Sequence, residues 1–528
     1  MTQAVSPFSS SFSFPDNTNQ YWQGAPVVWA IGGSDCTGGA GIQADTKTIH
    51  NLGGLPNTII TAVTAQNAGG VKEINAVSDE VFRSQWSALE QAAMPSTIKV
   101  GMLANEAQVN TLITLLTELN QTCEEENWPR PIIVYDPVLA ATSGDQLTES
   151  DLVPLIRDTL FPLVDVVTPN AKEVQKFAGT YMFSKDCMQR AAEAFIQLGC
   201  KKVVIKGGHI DLISGRSIDL AMSDDTRYWL NGAQIPTEHH HGTGCTFASA
   251  IAVFVAKGYH FRDAVTLAKG FITHGLIASS CLEGAYGPVL QTQLPTSLTV
   301  LPQTSNTWLT EWEDGPNLDT QPALSFPRIN SDLFNLYPVV DSLEWLERLL
   351  KLGVTTIQYR DKTNSGEALE AAIQKAILLG KQYNAQLFIN DYWQLAIKHQ
   401  AYGVHLGQED VQSADLNAIA HAKLRLGIST HGHFEFINAL AIKPSYLAIG
   451  AVFPTKTKDM TGQIQGLSAL KALCALQGQI PIVAIGGITL SNASQVLTCG
   501  AQAIAVVTAI TEAKDPEHAV KQLSSLFE

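Results

Sequence analysis

Between Leu336 and Val507 the chain carries eight short apolar runs, each separated from the next by a stretch with helical spacing. They are Leu336–Val340, Thr355–Arg360, Gln386–Asn390, Gly403–Leu406, Leu424–Ser429, Tyr446–Ala451, Ile482–Ile485 and Ala503–Val507. Short runs rich in Val, Ile and Leu that do not alternate with polar residues mark strands buried on both faces, and hence a parallel sheet. After the first run, Leu343-Glu344-Trp345-Leu346-Glu347-Arg348-Leu349-Leu350 repeats its apolar residues at the helical period. Eight strand–helix units in fewer than 200 residues predict a compact (β/α)8 TIM barrel.

A barrel accounts for less than half of the 528 residues. Upstream, regular patterning runs from Val27 to Cys281. Val27–Ile31, Ile98–Met102, Ile132–Asp136, Val164–Val167 and Val203–Lys206 are predicted buried parallel strands alternating with helices, and Ile218–Ile235 predicts antiparallel edge strands. This is an open α/β sandwich, which binds ligands at the C-terminal ends of its strands. Residues 290–332 hold Pro295, Pro302, Pro316, Pro322 and Pro327 among Thr, Ser, Gln and Asn, a composition that predicts an extended linker. The Ser- and Phe-rich stretch Ser6–Phe14 predicts a mobile tail over residues 1–25. The domains are therefore expected at 26–289 and 333–528.

With 45% hydrophobic and 16% charged residues, the composition is that of a globular protein and excludes a disordered one. A net charge of −15 argues against nucleic acid or an anionic membrane as partner. The longest apolar stretch, Thr246 to Ala256, is well short of the ~20 residues that span a bilayer. No Lys or Arg precedes Lys47, so no basic targeting region is expected at the start. The eight cysteines form no Cys-x-x-Cys pair and show no metal-ligand spacing. Reduced thiols and a cytoplasmic location are the expectation.

His241-Gly242-Thr243-Gly244-Cys245 precedes the apolar run Thr246–Phe254. The glycines permit a tight turn, and the run reads as a helix packed on a sheet. The first amides of a helix are unpaired and carry the positive end of its dipole, so a phosphate can settle on the main chain at Gly242 and Gly244. A thiol at Cys245 is expected to feel that end and lose its proton more readily. An anion hole beside an activatable base is what phosphoryl transfer to an alcohol requires. The bland reading is a Gly-rich turn before a core helix, with an inert cysteine. His239-His240-His241 lacks partners at metal-ligand spacing and reads as a solvated loop, and Glu124-Glu125-Glu126 as a solvated helix end.

Six further motifs precede that turn: Gly32-Gly33-Ser34-Asp35-Cys36-Thr37-Gly38-Gly39-Ala40-Gly41-Ile42-Gln43-Ala44-Asp45, Thr61–Asn67, Lys99–Leu103, Tyr135–Val138, Thr168–Glu173 and Lys206–His209. In this order they resemble the hydroxymethylpyrimidine and hydroxymethylpyrimidine-phosphate kinases of the ribokinase superfamily, over about residues 26–289. The resemblance implies a ribokinase-like sandwich, ATP as phosphoryl donor and Mg2+. It implies that Gln66 pairs with the pyrimidine, since a side-chain amide both donates and accepts. Asp45 and Met102 would complete that pocket. Asn170 and Glu173 would organise magnesium and water, Lys206 would balance phosphate charge, Gly242, Thr243 and Gly244 would hold the transferring phosphoryl group, and Cys245 would take the hydroxymethyl proton. Many ribokinase relatives have Asp at this last position, and Cys matches the pyrimidine branch. Thr37 stands where Ser is more usual and keeps the hydroxyl.

Barrel enzymes carry their reacting groups at the C-terminal strand ends. Those positions here hold Gln358-Tyr359-Arg360-Asp361-Lys362, Asn390-Asp391, Gln408-Glu409-Asp410, Ser429, Thr455-Lys456-Thr457-Lys458, Gly486-Gly487 and Val507-Thr508. Arg360, Lys362 and Lys458 suit a diphosphate, Asp391 and Asp410 are hard oxygen ligands for Mg2+, and the last two loops match the usual phosphate site of the fold. The set resembles thiamine-phosphate synthase over about residues 334–515. The resemblance implies that Gln358, Tyr359, Arg360, Asp361, Lys362, Asn390, Ser429 and Lys458 hold a pyrimidine diphosphate. It gives Thr455, Lys456, Thr457, Gly487, Val507 and Thr508 to a thiazole phosphate.

The resulting expectation is a bifunctional thiamine-biosynthesis enzyme with small-molecule substrates, and a homo-oligomer is among the assembly states the sequence allows. Its rivals are a pyridoxal-type kinase in the first half, a thiazole tautomerase in the second, or one half without catalysis.

Overall fold

The computed structural model describes residues 24–67, 70–140, 145–148, 152–208, 210–284, 287–294, 297–309, 312, 324–455, 464–476 and 478–528. The tail expected over residues 1–25 lies almost wholly outside them. The chain divides into two compact units, one running to Arg227 and including Gly232–Pro295, the other Tyr228–Asn231 with Thr296–Glu528.

The first unit is built on a sheet of β1 (Val27–Asp35), β2 (Leu55–Asn67), β3 (Gly70–Ala76), β4 (Thr97–Val100), β5 (Ile132–Tyr135), β6 (Val166–Val167), β7 (Lys202–Ile205) and β8 (Arg216–Ser223). Their order is β8-β7-β6-β5-β4-β1-β2-β3. The strands from β7 to β2 are parallel, while β8 and β3 run antiparallel at the ends. The chain goes from β1 to one side for β2 and to the other for β4, so a crevice opens beyond the carboxyl ends of β1 and β4. The β2–β3 hairpin was not expected from the sequence. Only Ile59, Thr61, Ala62 and Thr64 of β2 are buried, and Val63 is exposed, so its alternation is weak.

Two helices line the crevice. Gly41–Asn51 turns Ile42, Ala44, Asp45, Thr48 and Ile49 inward, and the two polar members of that face are already unusual for a core. Thr243–Ala256 is buried at every position from Thr246 to Phe254, the signature of a helix enclosed on all sides. Glu124, Glu125 and Glu126 are exposed at the end of the helix Glu106–Glu125, as read from the sequence.

In the second unit, β9 (Arg227–Ala233) contributes Trp229–Asn231 to an antiparallel pairing with β10 (Gln303–Ser305). The barrel strands are β11 (Leu336–Val340), β12 (Thr356–Tyr359), β13 (Gln386–Asn390), β14 (Gly403–Leu406), β15 (Arg425–Thr430), β16 (Tyr446–Ile449), β17 (Ile482–Ile485) and β18 (Ala503–Val506). They close in sequence order, all parallel. Tyr337, Phe388 and Tyr446 fill the interior, with ring centroids 5.9 Å apart for Tyr337–Phe388 and 5.0 Å for Phe388–Tyr446. Buried phenols need partners. Tyr337 and Tyr446 join hydroxyls at 2.6 Å.

The stretch 290–332, expected as an extended linker, holds ordered elements at its described positions. They include a 3-10 turn at Leu298–Val300, β10, and the buried side chains of Phe326 and Ile329, of which Ile329 packs in the barrel core. Apolar anchors between the prolines supply the burial that the polar composition conceals. Among the described residues no helix is long and apolar enough to cross a membrane, and all eight cysteines are free thiols.

Candidate active sites

In the first unit the expected turn opens the helix Thr243–Ala256. Gly242 is its N-cap at φ +82°, and a Cβ there would stand 1.9 Å from the Gly39 carbonyl oxygen, so the turn demands glycine. A Cβ on Gly244 would come within 3.1 Å of an Asp136 carboxylate oxygen and 3.3 Å of Lys206 Nζ. The helix start at Gly244 thus lies beside the ion pair of Lys206 and Asp136, whose Nζ–Oδ1 distance is 2.6 Å. Thr168 donates to the same Asp136 oxygen at 3.0 Å. Thr243 turns its hydroxyl back to the His240 carbonyl at 2.9 Å.

Cys245 is half-buried in the first turn of that helix. The expectation of an acidic thiol fails. Burial pushes it up to about 11; Lys99 and the Gly41 amide pull it down, while Asp45 and Asp136 push it further up. The helix start does not outweigh removal of the thiolate from water.

Met102 is buried beyond β4 with Ala62, Ala104 and Leu147, forming an apolar wall. Gln66 is half-buried at a bulge near the end of β2, and its carbonyl accepts from the Cys36 thiol at 3.1 Å. Asp45 is fully buried and uses both carboxylate oxygens, one for Lys99 Nζ at 2.8 Å and one for Ser249 Oγ at 2.7 Å. Asn170 and Glu173 form a capping box on the helix Ala171–Ala178. Asn170 accepts from the Glu173 amide at 3.1 Å, and Glu173 accepts from the Asn170 amide at 2.7 Å. Burial raises the Glu173 carboxyl to about 8; Lys206 opposes this and Asp136 adds to it.

The three histidines are not a solvated loop. His239 is buried and reaches the Leu282 carbonyl at 3.1 Å, and His241 Nε2 lies 2.8 Å from Asp35 Oδ2. Burial works against the Asp35 carboxylate, yet His241, Thr37 and the Ala40 amide hold its pKa well below the usual range. Asp35, Lys99, Asp136 and Thr168 were not candidates from the sequence, although each lies inside a motif quoted above. Their signal was a charged or hydroxyl residue at the end of an otherwise apolar strand.

At the barrel mouth, Lys362 Nζ lies 2.5 Å from Asp391 Oδ2, and the Asp391 and Asp410 carboxyls interact. Asp391 sits at φ +64°, a conformation Asp tolerates better than most residues. Burial, and then Asp391 beside it, raise the Asp410 carboxyl above its ordinary value. Two carboxylates this close are short of positive charge. Together with an open face at the strand ends, they fit Mg2+ held through one or two carboxylates, water and substrate phosphate. Asn390 is buried at the end of β13, and the Arg360 amide donates to the Val340 carbonyl at 2.8 Å.

Gln358 donates to the Tyr337 hydroxyl at 3.3 Å, and His405 lies between the Tyr446 hydroxyl at 2.7 Å and Ser429 Oγ at 2.8 Å. A buried chain thus joins Gln358 to Ser429 through Tyr337, Tyr446 and His405, none of the last three expected from the sequence. Burial lowers His405 to about 4, so it is neutral near neutral pH.

Tyr359 and Asp361 have local duties. Asp361 takes hydrogen bonds from the Tyr359 hydroxyl, the Thr363 amide and hydroxyl, and the Asn364 amide and side chain, at 2.8 to 3.0 Å. Its acceptors are spent on shaping the loop that presents Lys362. Thr455 is half-buried after β16, while Lys456, Thr457 and Lys458 lie outside the described residues. Gly487 follows β17 at φ +63°, its carbonyl accepting from Asn492, and Val507 and Thr508 follow β18 at the start of a short helix.

Two stretches of the chain match known families. Residues 35–290 match the phosphomethylpyrimidine kinase family, and residues 336–510 match the thiamine monophosphate synthase family. A protein of Oryza sativa subsp. japonica, described as a probable thiamine biosynthetic bifunctional enzyme, chloroplastic, is 34% identical over 501 residues. The match covers 92% of this chain and 86% of the rice protein. The chain belongs to the bifunctional thiamine biosynthetic enzymes. It joins a phosphomethylpyrimidine kinase domain to a thiamine-phosphate synthase domain, both transferases. The kinase domain has a mixed sheet and the synthase domain a closed eight-stranded barrel. The barrel half is 57% identical over 193 residues to the thiamine-phosphate synthase of Serratia proteamaculans, covering 37% of this chain and 91% of that one. A Bacillus subtilis pyridoxal kinase, solved as an ADP complex, is 28% identical with a TM-score of 0.44 and covers 51% of this chain and 97% of its own.

Proposed function

We propose that residues 26–289 phosphorylate 4-amino-5-hydroxymethyl-2-methylpyrimidine and its monophosphate with ATP. We propose that residues 333–528 then join the diphosphate to a thiazole phosphate or its carboxylated tautomer, releasing pyrophosphate and forming thiamine phosphate. The single observation that supports this most directly is the cluster of Lys362, Asp391 and Asp410 at the barrel mouth. A tautomerase has no use for a cation and paired hard ligands suited to a departing diphosphate.

In the kinase domain the Gln66 amide reads the pyrimidine edge against the apolar wall of Met102. The hydroxymethyl oxygen attacks the terminal phosphorus of ATP, the bond from that phosphorus to its bridging oxygen breaks and ADP leaves, and the hydroxyl proton passes to Cys245 Sγ in its thiolate form. Amides at Gly242–Gly244 and the Lys206 ammonium stabilise charge on the transferring group. Asn170 and Glu173 are the residues for nucleotide-bound Mg2+ and its water.

In the synthase domain Gln358, Arg360, Lys362, Asn390, Ser429 and Lys458 hold the pyrimidine diphosphate. Asp391 and Asp410 would hold Mg2+, which when bound neutralises charge on the leaving diphosphate. The carbon–oxygen bond breaks with its electron pair going to pyrophosphate. The aminopyrimidine spreads the positive charge left on its methylene, and the thiazole nitrogen captures that carbon. Thr455, Lys456, Thr457, Gly487, Val507 and Thr508 hold the thiazole phosphate. The expected compartment is the cytoplasm.

The test supplies ATP with hydroxymethylpyrimidine, its phosphate or pyridoxal in separate reactions, and supplies preformed pyrimidine diphosphate with thiazole phosphate. Preference for the pyrimidines and release of pyrophosphate are expected. Preference for pyridoxal would contradict the kinase assignment, and absence of pyrophosphate would contradict the synthase assignment.

A further inference from the structure

Five polar side chains cross the inside of the barrel in one line. Gln358 of β12 donates to the Tyr337 hydroxyl of β11 at 3.3 Å, and that hydroxyl meets the Tyr446 hydroxyl of β16 at 2.6 Å. His405 of β14 then lies with Nδ1 2.7 Å from the Tyr446 hydroxyl and Nε2 2.8 Å from Ser429 Oγ of β15. Gln358, Tyr337, Tyr446 and His405 are buried and Ser429 is half-buried, so the line surfaces at Ser429. Strand β15 makes room for it. A Cβ on Gly427 would stand 2.4 Å from the Tyr446 hydroxyl oxygen, and a glycine inside a strand is otherwise a weakness.

Counting protons gives the line a direction. A hydroxyl has one proton to give, and a neutral imidazole has one donor and one acceptor nitrogen. Among the described residues the His405 ring nitrogens bond to Tyr446 and Ser429, neither of them a carboxylate, and burial lowers its pKa to about 4, so the ring is neutral. Gln358 Nε2 has only protons to offer, and the Tyr337 hydroxyl has Gln358 and Tyr446 as its partners among the described residues. The Tyr337 proton therefore goes to Tyr446, and the Tyr446 proton goes to His405 Nδ1. The imidazole proton is left on Nε2, where Ser429 Oγ accepts it. The proton of Ser429 itself is then left for an acceptor outside the line.

We propose that Tyr446 and His405 are positioning residues for Ser429: they fix His405 as the Nε2–H tautomer, which turns the Ser429 hydroxyl into a hydrogen-bond donor to an oxygen of the departing diphosphate. The inference rests on the reading of Ser429 as a ligand of the pyrimidine diphosphate. Such a donor strengthens as the carbon–oxygen bond breaks and its electron pair passes to pyrophosphate, so its weight falls on the chemical step. The line donates hydrogen bonds and gives up no proton. With the opposite tautomer Ser429 would spend its proton on Nε2 and turn lone pairs toward the anion.

Two measurements on the full-length chain test this. With isotope-labelled histidine, NMR reads which ring nitrogen carries the proton, His405 being the ring whose Nε2 signal moves in Ser429→Ala. A proton on Nε2 is expected, and a proton on Nδ1 overturns the inference. Condensation is then followed from preformed pyrimidine diphosphate and thiazole phosphate. Ser429→Ala should lower kcat by about 10²-fold. Tyr446→Phe keeps the ring in its aromatic cluster and removes only the oxygen, and should lower kcat by about tenfold. Added to Ser429→Ala, Tyr446→Phe should cost nothing further, because the hydroxyl it directs is gone, whereas a merely structural role would lower both backgrounds alike. Equal losses in both backgrounds, or a full rate in Tyr446→Phe, overturn the inference. Should Tyr446→Phe fail to fold, the tautomer in the parental chain decides alone. An unchanged rate in Ser429→Ala would instead overturn the underlying reading of Ser429, whichever tautomer is found.

Discussion

Asp391 and Asp410 follow successive barrel strands and stand close enough for Asp391 to raise the Asp410 carboxyl above its ordinary value, after burial. Such a pair carries two negative charges when ionised, and Lys362 at 2.5 Å from Asp391 offsets one of them. The arrangement is a receptor for a cation and the anion it accompanies.

Replacing Asp391 or Asp410 with Ala should therefore cut condensation by ~10²-fold or more, because charge on departing pyrophosphate is left poorly neutralised. Phosphorylation should continue at the parental rate, so pyrimidine diphosphate accumulates. Raising Mg2+ should recover part of the lost rate by mass action. Both products are measured in one reaction; an unchanged rate of thiamine phosphate formation would contradict the assignment of these carboxylates.

Cys245→Ala should lower phosphorylation by ~10²-fold or more while leaving condensation from preformed diphosphate intact. The thiol is active as a base only when deprotonated, and burial holds it at about 11. Phosphorylation should accordingly rise with pH from neutrality through about pH 10, and the Cys245→Ala variant should lose that rise. A pH-independent parental rate would speak against the thiol.

Asn170→Ala removes one half of the capping box on Ala171–Ala178. It should cost about 1 kcal/mol of stability in denaturant unfolding and should also raise the KM for ATP. A loss of stability with no change in the nucleotide KM would assign Asn170 to the helix alone.

Asp361 and Asp35 are both buried carboxylates. Burial raises each, but hydrogen bonds led by Asn364 for Asp361 and by His241 for Asp35 hold both below the ordinary range. A depressed folded-state pKa gives stability that is present above the unfolded value, near ~3.9, and is lost as pH falls below it. Stability should drop as pH falls through about 4, and Asp361→Asn should weaken that dependence. Asp361→Ala should destabilise by about 2–3 kcal/mol, since several loop donors lose their acceptor at once.

The barrel was legible because its strands are buried on both faces, so an uninterrupted apolar run betrays each one. The β2–β3 hairpin escaped for the opposite reason: it protrudes, and Val63 faces solvent while Thr61 and Thr64 are buried. The ordered parts of 290–332 were hidden because isolated Phe326 and Ile329 have no period to read. Candidate residues surfaced wherever chemistry and loop position coincided, as at Lys362 and Asp391. The Cys245 thiol was misjudged because a helix start is visible in sequence and the burial that overrides it is not. Tyr337, Tyr446 and His405 looked like core, and only the chain of hydrogen bonds from Gln358 to Ser429 reveals their polar employment.

The central claim is that one chain makes a pyrimidine diphosphate and consumes it. The most direct measurement gives the purified chain hydroxymethylpyrimidine, thiazole phosphate, ATP and Mg2+ and follows thiamine phosphate and pyrophosphate over time. Thiamine phosphate should appear after a lag, with pyrophosphate released in equal amount, and omission of ATP should abolish both. No thiamine phosphate despite ATP consumption, or none even from preformed diphosphate, would contradict the claim.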